Sequence, residues 1–333
     1  MNLYITLVLY FTLIRNHPEI WSGENFDSIS NFTRILEYDN SIEFHEQTSK
    51  MNTVDITYRP GRLSYWYYKH TGYPNAGDDY NKYLVEHLYD CPVDVVNDGY
   101  PDVCFCGSIL MNKHVRHAKR IVGCGIQRIP DKYTLPEKEA FLAVRGETTY
   151  NILSQNMELA TKPLLFDPGL FLSALYRPSK PIPKTHKLGI IPHYEDEELV
   201  RKRYGKDYHI ISMVTDDIEA LVDDILSCEV ILSSSLHGII FSHSYGVPAY
   251  HILIKDFFGN GNFKFADYYS SFECLEYRKF ECPDGKIDFE EIMKFHKYHK
   301  KKANPLSEYI SLKQKQFIEI LPFKELLKDE YKI

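Results

Sequence analysis

The feature that most constrains this fold is a repeated alternation of short apolar runs and helical patterns, joined by glycine-containing loops. This alternation is typical of parallel strands, because a strand that joins a parallel neighbour usually returns through a helix. The loops then collect at the carboxyl edge of the sheet, where α/β proteins bind ligands. The predicted strands are 63–69, 102–106, 120–122, 141–144, 188–191, 208–213, 230–233 and 249–253, and the predicted helices are 80–88, 148–155, 218–226 and 237–245.

The alternation occurs twice, and a proline-rich stretch separates the two series. Residues 177–187 contain Pro178, Pro181 and Pro183, which favours an extended linker. We therefore predict an α/β fold with two Rossmann-like domains that face a cleft. The predicted segments are an N-terminal extension (1–57), a first domain (58–176), the linker (177–187), a second domain (188–285) and a helical C-terminal segment (286–333).

Charge and cysteine content exclude several classes of protein. The net charge of −7 leaves no domain-wide basic surface to neutralise phosphates, so no nucleic-acid partner is expected. Seven cysteines without a repeated short spacing favour reduced thiols in a cytoplasmic protein, and no cluster has the ligand spacing of a metal site. The apolar run 3–14 is too short to span a membrane and favours a buried strand or helix, with a secretory signal as the alternative.

The strongest candidate for chemistry is a serine-rich segment at the end of an apolar strand. Ser233, Ser234 and Ser235 follow that strand, and His237 opens the next helix. Hydroxyl groups, an imidazole and the N–H groups of a helix start can together bind an anion. The alternative is a serine-rich helix cap with a histidine that only packs.

Three further positions carry polar side chains at strand ends. Arg145 offers a planar fork that suits carboxylate or phosphate oxygens, and its alternative role is a salt bridge to Glu147. His193 follows the first strand of the second series, where a loop histidine without a role is the alternative. Asn75 and Asp78 lie in a turn before a helix, which as a bare pattern is only a helix cap.

Short motifs follow one another along the chain in a definite order. They are Asn75-Ala76-Gly77-Asp78, Cys106-Gly107-Ser108, Gly123-Cys124-Gly125, Val144-Arg145-Gly146 with Thr149, Phe166-Asp167-Pro168-Gly169-Leu170, Ile190 to Tyr194, Ser233 to Gly238, Ser244 to Ala249 and Phe263 to Tyr269. Each motif alone is weak, but this order is specific. From about residue 62 to residue 272 the chain resembles the polysaccharide pyruvyl transferase family.

The resemblance implies a fold similar to that of the two-domain GT-B glycosyltransferases. It also implies that phosphoenolpyruvate is the donor, that no separate cofactor is needed, and that pyruvate bridges two hydroxyls of one sugar in the product. Carried over to this chain, it makes Arg145 and His237 the ligands of the donor, with His193 in the same cleft. We expect His237 or His193 to deliver a proton and Asp78 to act as the base.

The chain departs from the family pattern at the serine-rich segment. Some relatives carry an arginine where this chain has Ser234 or Ser235. If that arginine holds the donor, Lys255 or Lys264 is expected to replace it here. The two serines and Asn75 are expected to contact the substrates.

Two other functions fit the same architecture. A nucleotide-sugar glycosyltransferase would also place cations and glycines at the cleft, and a non-catalytic glycan-binding protein could keep the fold. The expected partner is a glycan or a lipid-linked sugar acceptor. The basic stretch 294–302 predicts peripheral contact with an anionic membrane, with a solvated helix face as the alternative.

Overall fold

The computed structural model describes residues 61–97, 99–129, 135–255, 263–272, 275–281, 286–302 and 306–332. Within these residues the chain forms eleven strands in two parallel sheets, together with nine α-helices and several short 3-10 turns. The predicted N-terminal extension (1–57) and its apolar run (3–14) lie outside the described residues. The α/β prediction is therefore confirmed for the part of the chain that the structure describes.

The first sheet has six parallel strands. Its inner strands carry side chains such as Val103, Ile121 and Val144 that are buried from solvent on both faces of the sheet, as is usual where helices cover a parallel sheet. In the order β2-β1-β3-β4-β5-β6, the strands are β1 (Leu63–Tyr65), β2 (Val93–Val95), β3 (Val103–Cys104), β4 (Arg120–Val122), β5 (Phe141–Val144) and β6 (Leu164–Leu165).

The second sheet has five parallel strands. Its longest pairing joins the first and third strands of the series, which are in register from His186 opposite Cys228 to Ile191 opposite Ser233. In the order β11-β10-β9-β7-β8, the strands are β7 (His186–Ile191), β8 (His209–Ile210), β9 (Cys228–Ser233), β10 (Ala249–Leu253) and β11 (Lys279–Glu281).

The helices form where an apolar stripe recurs at helical spacing. In one of them Ile218, Leu221, Val222 and Ile225 are buried, and Asp217 caps the helix by accepting a hydrogen bond from a backbone N–H. None of the helices in the described residues is long and apolar enough to cross a bilayer. The helices are α1 (Ala76–Leu88), α2 (Glu147–Asn156), α3 (Leu172–Leu175), α4 (Glu197–Tyr204), α5 (Ile218–Leu226), α6 (Leu236–Ser244), α7 (Phe263–Tyr269), α8 (Phe289–Lys302) and α9 (Leu306–Ile320).

One hydrophobic cluster contains side chains from both sheets. Val122 and Ala143 of the first sheet belong to the same cluster of buried residues as Ile191 and Ile231 of the second. The helices α8 and α9 occupy the predicted helical C-terminal segment. The division into two Rossmann-like domains that face a cleft, and the boundaries given for them, stay predictions.

The two sheets reverse their strand order at equivalent points. In the first sheet the reversal lies between β1 and β3, and in the second it lies between β7 and β9. At such a point the connections leave on opposite faces of the sheet, and ligands of open α/β sheets bind outside the carboxyl ends of the strands there. The predicted site residues in the loops after β1, β7 and β9 therefore lie where this architecture favours a ligand.

Candidate active site

The loops that follow β7 and β9 are joined by Ser234. Its hydroxyl accepts a hydrogen bond from the backbone N–H of His193 at 2.8 Å and lies 2.9 Å from a carboxylate oxygen of Asp196. Its own backbone N–H donates to the carbonyl of Ile191 at 3.1 Å. Ser234 thus fixes the position of His193. Direct contact between this serine and a substrate stays a prediction.

The neighbouring serines build the start of α6. The hydroxyl of Ser233 accepts from the backbone N–H of Ser235 at 3.0 Å and donates to the carbonyl of Ile191 at 2.7 Å. Ser235 directly precedes the helix in an extended conformation, and its side chain forms no capping hydrogen bond. The helix cap that the sequence offered as an alternative is therefore not formed by this hydroxyl.

His237 lies against the first turn of α1, so the two reversal points meet at this residue. A Cβ atom at Gly77 would lie only 2.3 Å from Nδ1 of His237, and only glycine permits this approach. The Nε2 atom of His237 is buried without a hydrogen-bond partner among the described residues. Burial lowers the pKa of His237, so its imidazole is neutral in the unliganded protein.

Asp167 and Cys106 lie next to His237. One ring nitrogen of His237, a carboxylate oxygen of Asp167 and the sulfur of Cys106 are all within 4.8 Å of one another. These three residue types can ligate a divalent metal ion. However, burial raises the pKa of the Cys106 thiol well above its usual range, and a thiol must lose its proton to bind a metal. No spacing of these three residues along the chain predicts this cluster.

A second acid–base pair lies at the start of α1. Nε2 of His70 lies 3.0 Å from a carboxylate oxygen of Asp78, and this hydrogen bond raises the pKa of His70. The amide nitrogen of Asn75 lies 3.2 Å from the same imidazole nitrogen. The amide oxygen of Asn75 accepts from the backbone N–H of Gly77 at 3.0 Å, so Asn75 is the helix cap that the turn pattern offered. Sequence reasoning missed His70, because nothing in its local pattern points to Asp78.

Tyrosines surround this pair, and we call Tyr68, Tyr73 and Tyr194 the tyrosine cluster. The ring of His70 lies 5.2 Å from that of Tyr73 and 4.7 Å from that of Tyr194, measured between ring centres. Tyr194 also contacts the ring of His193 at 4.3 Å. The side chains of Tyr68 and Tyr73 are 48% and 39% exposed. The cluster thus places exposed aromatic surface beside His70, the residue that binds Asp78.

Lys264, at the start of α7, is a cation whose charge acts on two histidines of this site. Burial and the charge of Arg145 lower the pKa of Lys264 to about 8. The same residue contributes to lowering the pKa values of two histidines: that of His193 falls to about 3, mainly through burial, and that of His237 falls as well. Its ammonium lies 5.5 Å from the ring centre of Phe265, and no described carboxylate forms a salt bridge with it. Lys264 therefore carries positive charge that a bound anion can use.

Arg145 is completely buried in a hydrogen-bonded network. Its Nε donates to Asp267 at 2.8 Å, and its two terminal nitrogens donate to the Ser108 hydroxyl at 2.6 Å and the Ile126 carbonyl at 2.5 Å. The other carboxylate oxygen of Asp267 accepts from the backbone N–H of Thr149 at 2.7 Å. The sequence suggested Glu147 as the salt-bridge partner of Arg145. That pairing is wrong, because Arg145 pairs with Asp267 and Glu147 pairs with Lys162.

These contacts explain why two distant motifs occur together. The arginine and threonine of one motif both bind the aspartate of the other, across a separation of more than 100 residues. Gly146 packs directly on the backbone of Asp267, where a Cβ atom would lie 1.7 Å from its carbonyl oxygen. Binding of the donor by Arg145 stays a prediction. The charge of Lys255 acts on Asp196, where it opposes the rise of the Asp196 pKa that burial causes.

Comparison with known proteins relates the sequence of this chain to a family. The family model for polysaccharide pyruvyl transferase matches residues 54–256. An uncharacterized protein of Acanthamoeba polyphaga mimivirus is 35% identical over 223 residues, which cover 62% of this chain and 74% of that protein. No solved structure matches the chain. The matched segment includes His193, His237 and Asp78, and it ends before Lys264 and Asp267.

Proposed function

The chain belongs to the polysaccharide pyruvyl transferase family, and from this premise we propose that it transfers a pyruvyl group from phosphoenolpyruvate to a sugar. The acceptor is a polysaccharide or glycan precursor, and the product is a ketal in which pyruvate bridges two hydroxyls of one sugar. The observation that carries the proposal is the convergence of Lys264, two neutral histidines and Asp78 where the strand order of both sheets reverses.

The donor site follows from the charge of phosphoenolpyruvate. Its carboxylate and phosphate need cations and N–H donors in a partly dry site. Lys264 supplies the cation, and the N-terminus of α6 supplies backbone N–H groups next to His237. His193, being neutral, offers a ring N–H group as a hydrogen-bond donor. Lys264 thus takes the role of the arginine that some relatives carry in place of Ser234 or Ser235.

The reaction needs one proton delivered and two removed. A bound anion favours the imidazolium form of His237, which then gives a proton to the methylene carbon of the donor. That carbon becomes the methyl group, while a sugar hydroxyl attacks the neighbouring carbon and loses its proton to Asp78. A second hydroxyl of the same sugar then attacks that carbon. The bond to the phosphate oxygen breaks, and inorganic phosphate leaves with the second proton. The product sugar gains the elements of pyruvic acid minus water.

Asp78 is the base that the geometry favours. Its carboxylate is held by His70 at 3.0 Å and lies at the first turn of α1, whose Gly77 touches His237. The acid and the base therefore approach the donor carbon from the first turns of different helices. His70 fixes the orientation of the Asp78 carboxylate, and this is how a general base is usually held.

The tyrosine cluster is the proposed contact surface for the acceptor. Sugar rings present C–H groups that pack against aromatic faces, while their hydroxyls bond to nearby polar groups. Tyr68 and Tyr73 expose aromatic surface beside His70, which holds the base, so a sugar stacked there would place a hydroxyl near that base. Contacts of this kind suit many sugars, and the choice of hydroxyl pair then depends on the loops around the cluster.

The direct test is to incubate the purified protein with phosphoenolpyruvate and a panel of galactosides, glucosides, mannosides and N-acetylhexosaminides. We expect release of phosphate and a mass gain on one sugar equal to pyruvate minus water. His237→Gln should abolish both, whereas His117→Ala, which changes a histidine stacked on Tyr100 outside the site, should leave both intact. Thermal stabilisation by uridine diphosphate but not by phosphoenolpyruvate, without turnover, would replace the proposal with a glycosyltransferase. Sugar binding without phosphate release would instead indicate a non-catalytic glycan-binding protein.

A further inference from the structure

Two buried polar atoms in the active site lack hydrogen-bond partners among the described residues. They are Oδ2 of Asp167 and Nε2 of His237. Asp167 is 1% exposed, and its other oxygen, Oδ1, accepts the backbone N–H of Gly169 at 2.9 Å. Unpaired buried polar groups are costly and rare in folded proteins, so two of them in one small cluster call for an explanation.

We propose that Asp167 is a positioning residue for His237, whose Nε2–H group donates a hydrogen bond to Oδ2 of Asp167. This contact fixes the ring so that Nδ1, on the side of Gly77, faces the donor. The inference rests on the proposed function, because it assigns the partner of the histidine that delivers the proton. It adds a residue that the sequence showed only as part of the Asp-Pro-Gly motif.

The geometry requires only a small adjustment. A ring nitrogen of His237 and a carboxylate oxygen of Asp167 lie within 4.8 Å of each other, so the two groups are neighbours, and a shift of about 2 Å would bring such a pair to hydrogen-bond distance. A rotation of the imidazole provides this movement at a smaller cost than leaving both groups unpaired. His237 is partly exposed although its Nε2 is buried, so its accessible surface belongs to other atoms of the residue.

The electrostatics fit a pair that shares one proton. Burial raises the pKa of Asp167 and lowers that of His237, so the pair avoids two separate buried charges in the unliganded protein. A bound anion beside His237 favours the imidazolium, and the carboxylate behind it then stabilises that charge. The other titratable and charged groups that act on the pair are Asp78, Lys264, Arg145, Asp267, Cys106, Cys124 and Tyr80.

The protonation state of Cys106 distinguishes the hydrogen-bonded pair of Asp167 and His237 from a metal site. A metal ion bound by these three residues would require the thiolate, whereas burial keeps the thiol protonated. A protonated thiol leaves the carboxylate and the imidazole to pair with each other. The proposal therefore predicts that the Cys106 sulfur can be replaced without changing the titration of His237.

The test measures the titration of His237 directly by NMR with labelled histidine, using His237→Gln to assign its signal. In Asp167→Asn the amide oxygen can still accept the Gly169 N–H, so the turn is kept while the charge is lost. The Asp167 carboxylate raises the pKa of His237, so removing the carboxylate should lower the pKa of His237. A decrease of about one pH unit means that the imidazole binds its proton about tenfold more weakly. Asp94→Asn on the surface and Cys106→Ser should leave the titration unchanged.

Kinetics give a second readout. In Asp167→Asn we expect kcat to fall at least tenfold, little change in the KM for phosphoenolpyruvate, and an alkaline limb of the pH profile displaced to lower pH. An unchanged His237 titration in Asp167→Asn would overturn the proposal. So would one equivalent of bound divalent metal that disappears in Cys106→Ser. If the wild-type protein fails to use phosphoenolpyruvate, the proposed function falls, but the titration still decides whether the pair exists.

Discussion

Asparagine in place of Asp267 would remove the carboxylate that neutralises Arg145 in the interior of the protein. Both side chains of this pair are 0% exposed, and their contact at 2.8 Å joins α7 to the loop after β5. The substitution keeps the size and one oxygen of the side chain. It therefore tests the charge rather than the packing. We expect the guanidinium to remain charged and buried without a counterion.

The cost can be estimated from the contacts that are lost. Removing one partner of a buried ion pair costs about 3–5 kcal/mol, because the remaining charge is left uncompensated. Both carboxylate oxygens of Asp267 accept hydrogen bonds: one from the backbone N–H of Thr149 at 2.7 Å, the other from the Thr149 hydroxyl at 2.8 Å and from Arg145. Asparagine has only one oxygen, so it cannot keep all three hydrogen bonds. Each lost hydrogen bond costs about 1 kcal/mol. We therefore expect a loss near the upper end of that range, about 5 kcal/mol.

Urea unfolding followed by circular dichroism measures this loss as a lower midpoint with an unchanged slope. Asp94→Asn is the matched control, since it breaks the exposed pair of Asp94 with Arg62 and should shift the midpoint little. A decrease for Asp267→Asn no larger than for Asp94→Asn would refute the reasoning. A second variant, with Arg145→Met and Asp267→Leu together, should recover much of the stability, because it removes both buried charges at once.

Three further outcomes follow from the site. Lys264 has a pKa of about 8 and is charged only below it, so kcat/KM for phosphoenolpyruvate should fall as the pH rises through 8, and this fall should vanish in Lys264→Arg. A persistent fall in that variant would assign the limb to another group. Gly77→Ala places a methyl group 2.3 Å from Nδ1 of His237, so activity should drop at least a hundredfold while circular dichroism stays native. Tyr73→Ala should raise the KM for the acceptor about two- to tenfold, which is the effect expected from losing one aromatic contact, and should leave the KM for the donor unchanged. Tyr298→Ala, on α8, is the control, and an equal effect there would exclude a sugar contact at Tyr73.

The sequence predicted the positions of the inner strands of both sheets, although β1 ends at Tyr65 rather than at residue 69, and it predicted the edge strands poorly. The bounds of β4, β5 and β10 agree with the prediction, because these strands lie between neighbours and carry continuous apolar runs. The strands that were missed are β2, β6 and β11, and each lies at an edge of its sheet. An edge strand has one neighbour and more contact with solvent, so its sequence need not be uniformly apolar.

The strand predicted over 208–213 is also an edge strand, and it is shorter than predicted. Only His209–Ile210 pairs with β7. The apolar residues that extended the prediction, Ile211 and Met213, are buried in the hydrophobic core rather than in the sheet. An apolar run thus predicts burial reliably, while pairing with a neighbouring strand depends on the rest of the fold.

The candidate site could be predicted in part, because strand ends and glycine turns are visible in sequence. His237, His193 and Asp78 were predicted and lie near one another in the structure. The sequence did not predict the hydrogen-bond partners of Asp78 and Arg145. His70 binds Asp78 and Asp267 binds Arg145, and both contacts depend on how loops from different strands meet. One sequence gives the residue types at each strand end but not which of them touch.

The acid and the base of the proposed reaction belong to different sheets, and this has a consequence for how the site is held. His237 opens the helix after β9, whereas Asp78 lies in the helix after β1, so the distance between them depends on how the two sheets are fixed to each other. The shared core supplies that restraint: Tyr80, one turn along α1 from the active site, packs edge-on against Phe241, one turn along α6, at 5.2 Å. Tyr80 also donates a hydrogen bond to the carbonyl of Pro168, next to Asp167. Because the same side chain contacts both helices and the Asp-Pro-Gly turn, the core packing that joins the sheets also sets the position of the groups that move protons.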